Sequence, residues 1–205
     1  MNRTVTGPHS VAANADSDAG LMCRYGQGEV AAFEDLYARH KGPLFRYFLR
    51  QCRRAPLADE LFQETWLKVV RARGKYRPEA KFATWLYAIA HNVLMDNFRR
   101  HAVAVVEGED AEAAMSDAAA PEVRQPEREV DRRRRIEKLL ALIDGLPVLQ
   151  REAFLLHEEA GLTLAEIASV TGTNHETVKS RLRYALAKLR AGLDDEKDAG
   201  DMGRD

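Results

Sequence analysis

Two helix-start signals lie only ten residues apart in the C-terminal part of this 205-residue chain. Thr163 and Glu166 have the spacing of a capping box, with threonine at the N-cap and glutamate three residues later, and Thr173 and Glu176 repeat it. The interval leaves room for a helix of about two turns and a tight turn. Gly172 can adopt there the left-handed conformation that ends a helix. This spacing predicts a helix-turn-helix.

The composition of the two helices indicates what this motif binds. Ala168 is small where the helices would cross, and Val178 is apolar where the second helix would be buried, a face that continues through Leu182, Leu186 and Leu189. The other face is basic, and Arg and Lys pair with guanine edges in the major groove while Ser and Thr reach bases or phosphates. An ordinary helical hairpin would share the capping signals, but the full combination favours DNA binding. The candidate DNA-contacting residues are His175, Thr177, Lys179, Ser180, Arg181, Arg183 and Tyr184.

Apolar residues follow a helical repeat in the rest of the chain too. The repeat runs from Val30 to Arg100, where Lys41-Gly42-Pro43 is expected to interrupt it, and resumes from Ile136 to Leu193. No convincing stretch shows the strict alternation of a strand. Between residues 101 and 131 the repeat gives way to an Ala-rich, acidic segment with two prolines, which predicts a flexible linker. The chain is therefore predicted to be all-α, with two small helical domains joined by a flexible acidic linker that leaves them free to move relative to each other.

The distribution of charge supports a nucleic-acid surface, although the formal net charge is only −1. Lys and Arg are concentrated in segments such as 68–81 and 179–190, and acidic residues in 107–129. Segregated charge of this kind, more than net charge, is typical of a polyanion-binding surface. The predicted boundaries are residues 1–20 for a disordered tail, 21–100 for the first domain, 101–131 for the linker, 132–193 for the domain with the helix-turn-helix and 194–205 for an acidic tail.

Other classes of function find little support. Cys23 and Cys52 are too few for a disulfide framework, so reduced thiols are expected, and whether either of them senses redox state stays open. No apolar run reaches the roughly 18 residues that a membrane span needs, which favours a cytoplasmic protein. Phosphate-loop, dinucleotide-binding and zinc-protease motifs are absent. We therefore expect no catalytic residues, no cofactor and no metal.

Three segments in a fixed order resemble a known family. Residues 58–69 (ADELFQETWLKV) resemble the helix of region two with which sigma-70 family members bind core RNA polymerase. Residues 82–92 (FATWLYAIAHN) resemble the promoter-melting and minus-ten segment that follows it, and residues 152–189 resemble region four, which reads the minus-thirty-five element. No region-three domain separates them, which matches the extracytoplasmic function (ECF) group of sigma factors.

This resemblance implies a function, partners and site residues. The chain would bind core RNA polymerase, recognise minus-thirty-five and minus-ten promoter DNA, and start transcription of a small set of genes, without a small-molecule substrate or insertion into a membrane. A negative regulator such as an anti-sigma factor would hold it inactive. The polymerase contact would use the polar face of one helix, formed by Asp59, Glu60, Gln63 and Glu64, beside a buried Leu61 and Leu67.

The same resemblance assigns the minus-ten contacts. The loop at 74–81 would hold a base flipped out of the element, because basic side chains can follow a phosphate backbone and aromatic rings can stack on unpaired bases. Trp85 can be interpreted as a wedge between bases or as core, since its helix also carries Leu86 and Ile89. Housekeeping members carry adjacent tryptophans where this chain has Trp85-Leu86, which suggests weaker melting. The minus-ten candidates are Lys75, Tyr76, Arg77, Lys81, Phe82, Trp85, Asn92, Asp96, Arg99 and Arg100.

Two alternatives remain open on the sequence. A dimeric helix-turn-helix repressor would bind a palindrome without polymerase, although the motif at 59–64 and the aromatic-basic loop have no use in it. The acidic linker could either mimic RNA on the path through the polymerase or act as a solvated spacer.

Overall fold

The computed structural model describes residues 16–106 and 127–201, with side chains described for 16–100 and 132–194. The described part of the chain is helical and holds no strand, which confirms the predicted all-α class. The helices are α1 (Asp18–Gly26), α2 (Val30–Cys52), α3 (Ala55–Ala72), α4 (Phe82–Val106), α5 (Glu127–Asp144), α6 (Val148–Glu158), α7 (Leu164–Thr171) and α8 (His175–Asp201), with a 3₁₀ turn at Arg73–Lys75.

The four N-terminal helices pack around an aromatic core. Tyr47 and Phe48 of α2 and Tyr87 of α4 are fully or almost fully buried, and the ring of Tyr47 meets the edges of the other two at centroid distances of 5.3 and 5.4 Å. Edge-to-face pairs of this kind add about 0.5–1.5 kcal/mol to the burial of each ring. Trp66 of α3 packs on Phe33 and Tyr37 of α2 in a second aromatic group of the same core. This half is therefore held by large side chains from helices far apart in the sequence.

Two predictions for this half are wrong. A helix, α1, begins at Asp18 inside the segment predicted to be a disordered tail, because Ser17 caps it: its Oγ accepts a hydrogen bond from the backbone N–H of Gly20. The segment Lys41-Gly42-Pro43, which was expected to interrupt the helix, does not do so, and α2 continues through Pro43. Proline removes a helical hydrogen bond, but the buried Leu36 and Leu44 on either side anchor the helix to the core. Residues 1–15 of the predicted tail lie outside the described residues.

The helix-turn-helix forms at the predicted place, with one difference in its caps. Thr163 and Glu166 make the reciprocal hydrogen bonds of a capping box at the start of α7, and Gly172 ends that helix at φ 61°. The second helix starts one residue later than predicted. Asn174 caps it, because its Oδ1 accepts a hydrogen bond from the backbone N–H of Thr177 at 2.8 Å. Asparagine is at least as good a cap as threonine, which explains the shift.

The two halves are packed against each other in this structure, and the relative motion expected of them stays a prediction. α4 lies against α7, and α2 lies against α6. The buried apolar residues of both halves, from Leu21 to Leu189, form one continuous core cluster. Helix also covers both ends of the predicted linker, since α4 ends at Val106 and α5 begins at Glu127, and residues 107–126 lie outside the described residues.

Candidate polymerase and nucleic-acid interfaces

The polymerase-binding candidates lie on the outer face of α3. Asp59, Glu60 and Gln63 are exposed and Glu64 is half-exposed, while Leu61 and Thr65 on the opposite side are buried. Pro56 in the first turn fixes where α3 begins. Nε2 of Gln63 donates a hydrogen bond to Oδ2 of Asp59 at 2.7 Å, which orders this acidic face.

Leu67 belongs to this surface and was assigned wrongly by sequence reasoning, which placed it in the core. Its exposed fraction is 54%. Leu67 follows Glu60 and Glu64 at the i, i+4, i+7 spacing of one helical face, and that spacing was the signal that could have identified it. The acidic face of α3 therefore ends in an exposed apolar side chain.

Glu64, at the end of this face, pairs with a cation on its own helix and with one on α4. A carboxylate oxygen of Glu64 lies 3.0 Å from Nζ of Lys68, and the other lies 3.9 Å from a guanidinium nitrogen of Arg100. On α4, Arg99 donates a hydrogen bond to Asp96. A cleft of about 410 Å³ opens between these residues, lined by Glu64, Asp96, Arg99 and Arg100. The minus-ten candidates Asp96, Arg99 and Arg100 thus lie together at the surface, where Arg99 pairs with Asp96 and Arg100 pairs with Glu64.

The aromatic candidates of the minus-ten loop are divided by burial. Tyr76 is 6% exposed and Phe82 is 1% exposed, and their rings pack edge to face at 6.2 Å. Burial raises the pKa of Tyr76 to about 12. Neither ring has a free face for a base in this conformation, so the assignment of both as base-stacking residues is corrected to core. Trp85 packs on both rings, at 5.1 and 5.9 Å, and stays partly exposed. One side of its ring therefore belongs to the core, and the exposed part can still contact a base.

A basic cleft of about 400 Å³ lies between α3 and α4 beside this loop. Lys75 and Asn92, two of the minus-ten candidates, line it together with the apolar side chain of Ile89. Lys68 and Arg71 also line it and were missing from the candidate set, although their place one turn before the loop was a usable signal. Cations around an apolar side chain suit a single nucleic-acid strand, because the cations can bind its phosphates and the apolar surface can contact its unpaired bases.

The remaining loop cations make contacts within the protein. The guanidinium of Arg77 donates to the backbone carbonyl oxygen of Tyr76 at 3.0 Å. Nζ of Lys81 lies 3.1 Å from a carboxylate oxygen of Glu166, at the start of α7. Burial acts to raise the pKa of Glu166, but hydrogen bonds from Thr163 and the Lys81 ammonium outweigh it and lower the pKa to about 2. Lys81 is therefore engaged by the other half of the chain.

The minus-thirty-five candidates share the outer face of α8. Val178, Leu182 and Ala185 are buried on its inner face, and Leu186 is only partly buried. The guanidinium of Arg183 lies 5.0 Å above the ring of Tyr184, a cation–π contact that stiffens both side chains. The outer face, exposed or half-exposed, holds His175, Thr177, Lys179, Ser180, Arg181, Arg183 and Tyr184.

An acidic residue interrupts this basic face. Glu176 is exposed and lies 3.5 Å from Nδ1 of His175 and 3.6 Å from Nζ of Lys179. A cleft of about 450 Å³ runs along the face past Glu176, Ser180 and Tyr184 and reaches Gln150 on α6. Glu176 would repel a phosphate but can accept a hydrogen bond from the amino group of cytosine in the major groove.

Within the described ranges, no helix is long and apolar enough to cross a membrane, and no cluster of His, Cys, Asp and Glu could hold a metal ion. The thiol of Cys52 is half-buried, and burial raises its pKa to about 11. A raised pKa lowers the thiolate fraction and thus the reactivity of this cysteine at neutral pH.

Comparison with known proteins defines the class. Residues 36–103 match the model of sigma-70 region 2, and residues 136–189 match that of sigma-70 region 4. The RNA polymerase sigma factor CarQ of Myxococcus xanthus is 34% identical over 171 residues, which cover 82% of this chain and 93% of CarQ. The ECF RNA polymerase sigma factor SigM of Mycobacterium tuberculosis is 30% identical, with 84% of this chain and 83% of SigM covered.

Solved structures share the fold. CnrH, in complex with the cytosolic domain of CnrY, superposes with a TM-score of 0.62 at 25% identity, covering 88% of this chain and 99% of that one. The sigma factor RpoE of Bartonella quintana, in complex with the anti-sigma factor NepR, superposes with a TM-score of 0.63 at 19% identity over 79% of this chain and 96% of that one. The two matched regions are those of a transcription initiation factor. The chain belongs to the sigma-70 family of RNA polymerase sigma factors, in its ECF group.

Proposed function

We propose that this sigma factor binds core RNA polymerase through α3 and directs it to promoters with two elements. In this proposal α8 reads the minus-thirty-five element, and the basic cleft between α3 and α4 binds the opened minus-ten element. The result is initiation of transcription of a small set of genes. The proposal is carried by the outer face of α8, where a row of exposed polar and basic residues stands opposite a buried apolar face.

The polymerase contact is supported by the chemistry of α3. An ordered acidic face that ends in an exposed leucine suits a basic coiled coil, which the family resemblance identifies as the clamp helices of polymerase. An exposed apolar side chain that is buried on binding can contribute more binding energy than exposed charged residues beside it. We therefore expect Leu67 to contribute affinity, and Asp59, Glu60 and Glu64 to contribute orientation and rate of association.

The two DNA contacts differ in chemistry. The cleft beside Lys75 and Asn92 has cations around the apolar side chain of Ile89, which suits a single strand. On α8, Lys179 and Arg183 project from successive turns at a spacing that fits the edges of neighbouring base pairs in a major groove. Trp85, partly exposed beside the cleft, is the remaining aromatic side chain of the loop that can contact an unpaired base.

A negative regulator belongs to the proposal. The structural neighbours CnrH and RpoE were solved with CnrY and with the anti-sigma factor NepR. By this likeness we propose that an anti-sigma factor also binds this chain, and that the chain acts in the cytoplasm, where its polymerase works.

Run-off transcription with purified core polymerase and genomic DNA tests the proposal. Transcripts that appear only when this protein is added support it, and tight binding of the free protein to a palindrome without polymerase-dependent opening would favour a repressor. Reversal of Asp59, Glu60 and Glu64 to Lys should abolish co-purification with polymerase. Reversal of the exposed Glu34, Glu79 and Glu158 to Lys makes the same change in net charge and should leave co-purification intact.

A further inference from the structure

The short helix α1, which neither the polymerase contact nor the DNA contacts use, packs against the 3₁₀ turn that leads into the minus-ten loop. A Cβ on Gly26, the last residue of α1, would lie 3.1 Å from the backbone oxygen of Arg73, which is tighter than a side chain usually tolerates. The guanidinium of Arg73 lies 5.7 Å from the centre of the Tyr25 ring, in a cation–π contact. The C-terminal end of α1 therefore holds the start of the loop.

The N-terminal end of α1 holds the end of the same loop through α2. Oδ2 of Asp18, in the first turn of α1, lies 2.7 Å from Nε2 of His40. Burial acts to raise the pKa of Asp18, but hydrogen bonds from Arg39 and His40 outweigh it and lower the pKa. The carboxylate only accepts, so His40 carries a proton on Nε2. The ring of His40 packs on that of Phe82, the first residue of α4, at a centroid distance of 5.1 Å.

The middle of the loop also lies beside α1. Tyr76 directly follows the 3₁₀ turn, and its pKa is raised by burial and, to a smaller extent, by the nearby Cys23 and Asp18 of α1. The hydroxyl of Tyr76 is buried without a hydrogen-bond partner among the described residues, so the ring is held by packing. Part of that packing is the contact with Phe82. Helix α1 thus reaches the start, the middle and the end of the loop.

Two side chains that the proposed function places on the opened strand are attached to these held segments. Lys75 lies in the 3₁₀ turn, two residues after Arg73, and lines the basic cleft. Trp85 lies in the first turn of α4 and packs on Tyr76 and Phe82. A loop that becomes ordered only when DNA binds loses conformational entropy at that step, and this loss lowers affinity. A loop that is held before DNA arrives avoids most of this loss.

We propose that α1 is a brace for the minus-ten loop, and that Asp18, Tyr25 and His40 are positioning residues for binding of the opened strand. None of the three touches DNA in this proposal, because each acts through Lys75 or Trp85. The inference rests on the proposed function, since it needs the opened minus-ten element in the basic cleft. Loss of the brace should weaken binding of that strand and leave the contact of α8 with the minus-thirty-five element unchanged.

Tryptic cleavage of the free protein tests the brace without DNA. Trypsin cuts after Lys75 and Lys81, but the residue that follows each of them is buried, so cleavage there requires the loop to open locally. Tyr25→Leu removes the ring that Arg73 contacts. It should raise the cleavage rate at both bonds about two- to five-fold, the change in open population that loss of one exposed cation–π contact implies. Cleavage after Lys68, within α3, reports global unfolding and should not change.

A conservative variant at the same position is the control. Tyr25→Phe keeps the aromatic ring and should be cleaved at the wild-type rate. A Tyr25→Leu variant that is cleaved in the loop no faster than Tyr25→Phe overturns the brace. A rise of equal size after Lys68 overturns it too, because the ring would then stabilise the whole half and not the loop.

Two neighbouring residues of α2 give a matched pair of variants for the other end of the loop. Arg39 and His40 both bind Asp18, at 2.8 and 2.7 Å, and His40 also packs on Phe82. His40→Ala should therefore raise cleavage after Lys81, and Arg39→Ala should raise it less. An equal effect of the two variants would overturn the link through Phe82.

Binding of the holoenzyme to two DNA probes then tests the role of the brace in promoter binding. One probe is a single-stranded oligonucleotide with the minus-ten element of a promoter found by run-off transcription, and the other is a duplex with the minus-thirty-five element alone. Tyr25→Leu should weaken binding to the single strand about two- to five-fold and leave binding to the duplex unchanged. Tyr25→Phe should match the wild type on both probes.

The two probes also separate this inference from the function on which it rests. Equal affinity of Tyr25→Leu and Tyr25→Phe for the single strand, or an equal loss on both probes, overturns the positioning role while the proposed function stands. If the wild-type holoenzyme binds neither probe, the proposed function fails, and the role of α1 in DNA binding fails with it. The tryptic result on the free chain is independent of that outcome.

Discussion

The two halves of this sigma factor reach their helical folds by different means. In the C-terminal half, local signals decide the structure: the capping box at Thr163, the left-handed Gly172 and the cap at Asn174 set the ends of α7 and the start of α8. In the N-terminal half, contacts between distant helices decide it, since α2 continues through Pro43 and the loop aromatics Tyr76 and Phe82 are drawn into the core. Local signals can be identified in a sequence, but burial against distant helices can override them, and that burial is not visible in the sequence.

The largest effect that sharpens this comparison is expected in the N-terminal core. Phe82→Ala should destabilise the protein by about 3–5 kcal/mol, because it removes a fully buried ring from the first turn of α4. Urea denaturation followed by circular dichroism measures the loss. The control is Trp85→Ala, at a partly exposed ring of the same cluster, which should cost less stability. A stable Phe82→Ala variant that had lost only strand opening would return Phe82 to the base-stacking residues.

The second prediction concerns the DNA-binding face of the C-terminal half. Lys179→Ala and Arg183→Ala should leave stability almost unchanged, since both side chains are exposed. A direct base contact is worth about 1–3 kcal/mol, and its loss should relax the preference at one base pair of the minus-thirty-five element. A phosphate contact would instead weaken binding evenly across sequences. Transcription from a panel of promoter variants distinguishes them, and wild-type behaviour of both variants on every promoter would show that α8 is placed in the groove in the wrong register.

Features of the molecule that depend on local signals could be predicted from the sequence, and features that depend on distant elements could not. The fold class, the helix-turn-helix and the outer face of α8 depend on periodicity and caps, and the structure agrees with them. The errors concern residues whose environment is set by distant elements. Leu67 was expected in the core because leucine usually is, and Tyr76 was expected at the surface because cations surround it. The packing of α6 on α2 was missed because Arg151 and Glu152 look like surface residues in a sequence.

A third prediction compares the two left-handed helix ends. Gly172 and Arg53 both follow a helix at positive φ, 61° and 57°. An added side chain at Gly172 must adopt a conformation that costs an L-residue about 1–2 kcal/mol, so Gly172→Ala should destabilise the protein by about 1 kcal/mol. Arg53→Gly relieves the same strain and should change stability by less, because glycine also gains freedom in the unfolded chain. Thermal unfolding of the two variants measures the change in stability that each substitution causes. A Gly172→Ala variant as stable as the wild type would contradict the assigned turn.

The fourth and smallest effect concerns Glu166, which takes part in both kinds of contact. Its carboxylate accepts hydrogen bonds from Thr163 within the capping box and pairs with Lys81 of the other half, and its pKa is lowered to about 2. A group whose pKa is lower in the folded state stabilises the protein above its unfolded pKa, about 4.3 for glutamate. That stabilisation is fully present at neutral pH and is lost as the pH falls from about 4.3 to about 2. The side chain is about one-fifth exposed, so solvent screening reduces the contribution of the Lys81 pair.

The two sources of this lowered pKa can be separated by removing them one at a time. Thr163→Ala removes the hydroxyl contact, and Lys81→Ala removes the ammonium, so each should bring the pKa of Glu166 part of the way back towards its ordinary value. The backbone N–H of residue 163 is the largest of the lowering contributions and remains in both variants, so each variant should keep the pKa of Glu166 below its ordinary value. Carboxyl chemical shifts followed by NMR between pH 2 and 6 give each value. If Lys81→Ala alone returned the pKa to its ordinary value, the contact between the halves, and not the local cap, would be the main source of the stabilisation. The contrast between a locally determined C-terminal half and a tertiary N-terminal half would then fail at the residue where the two meet.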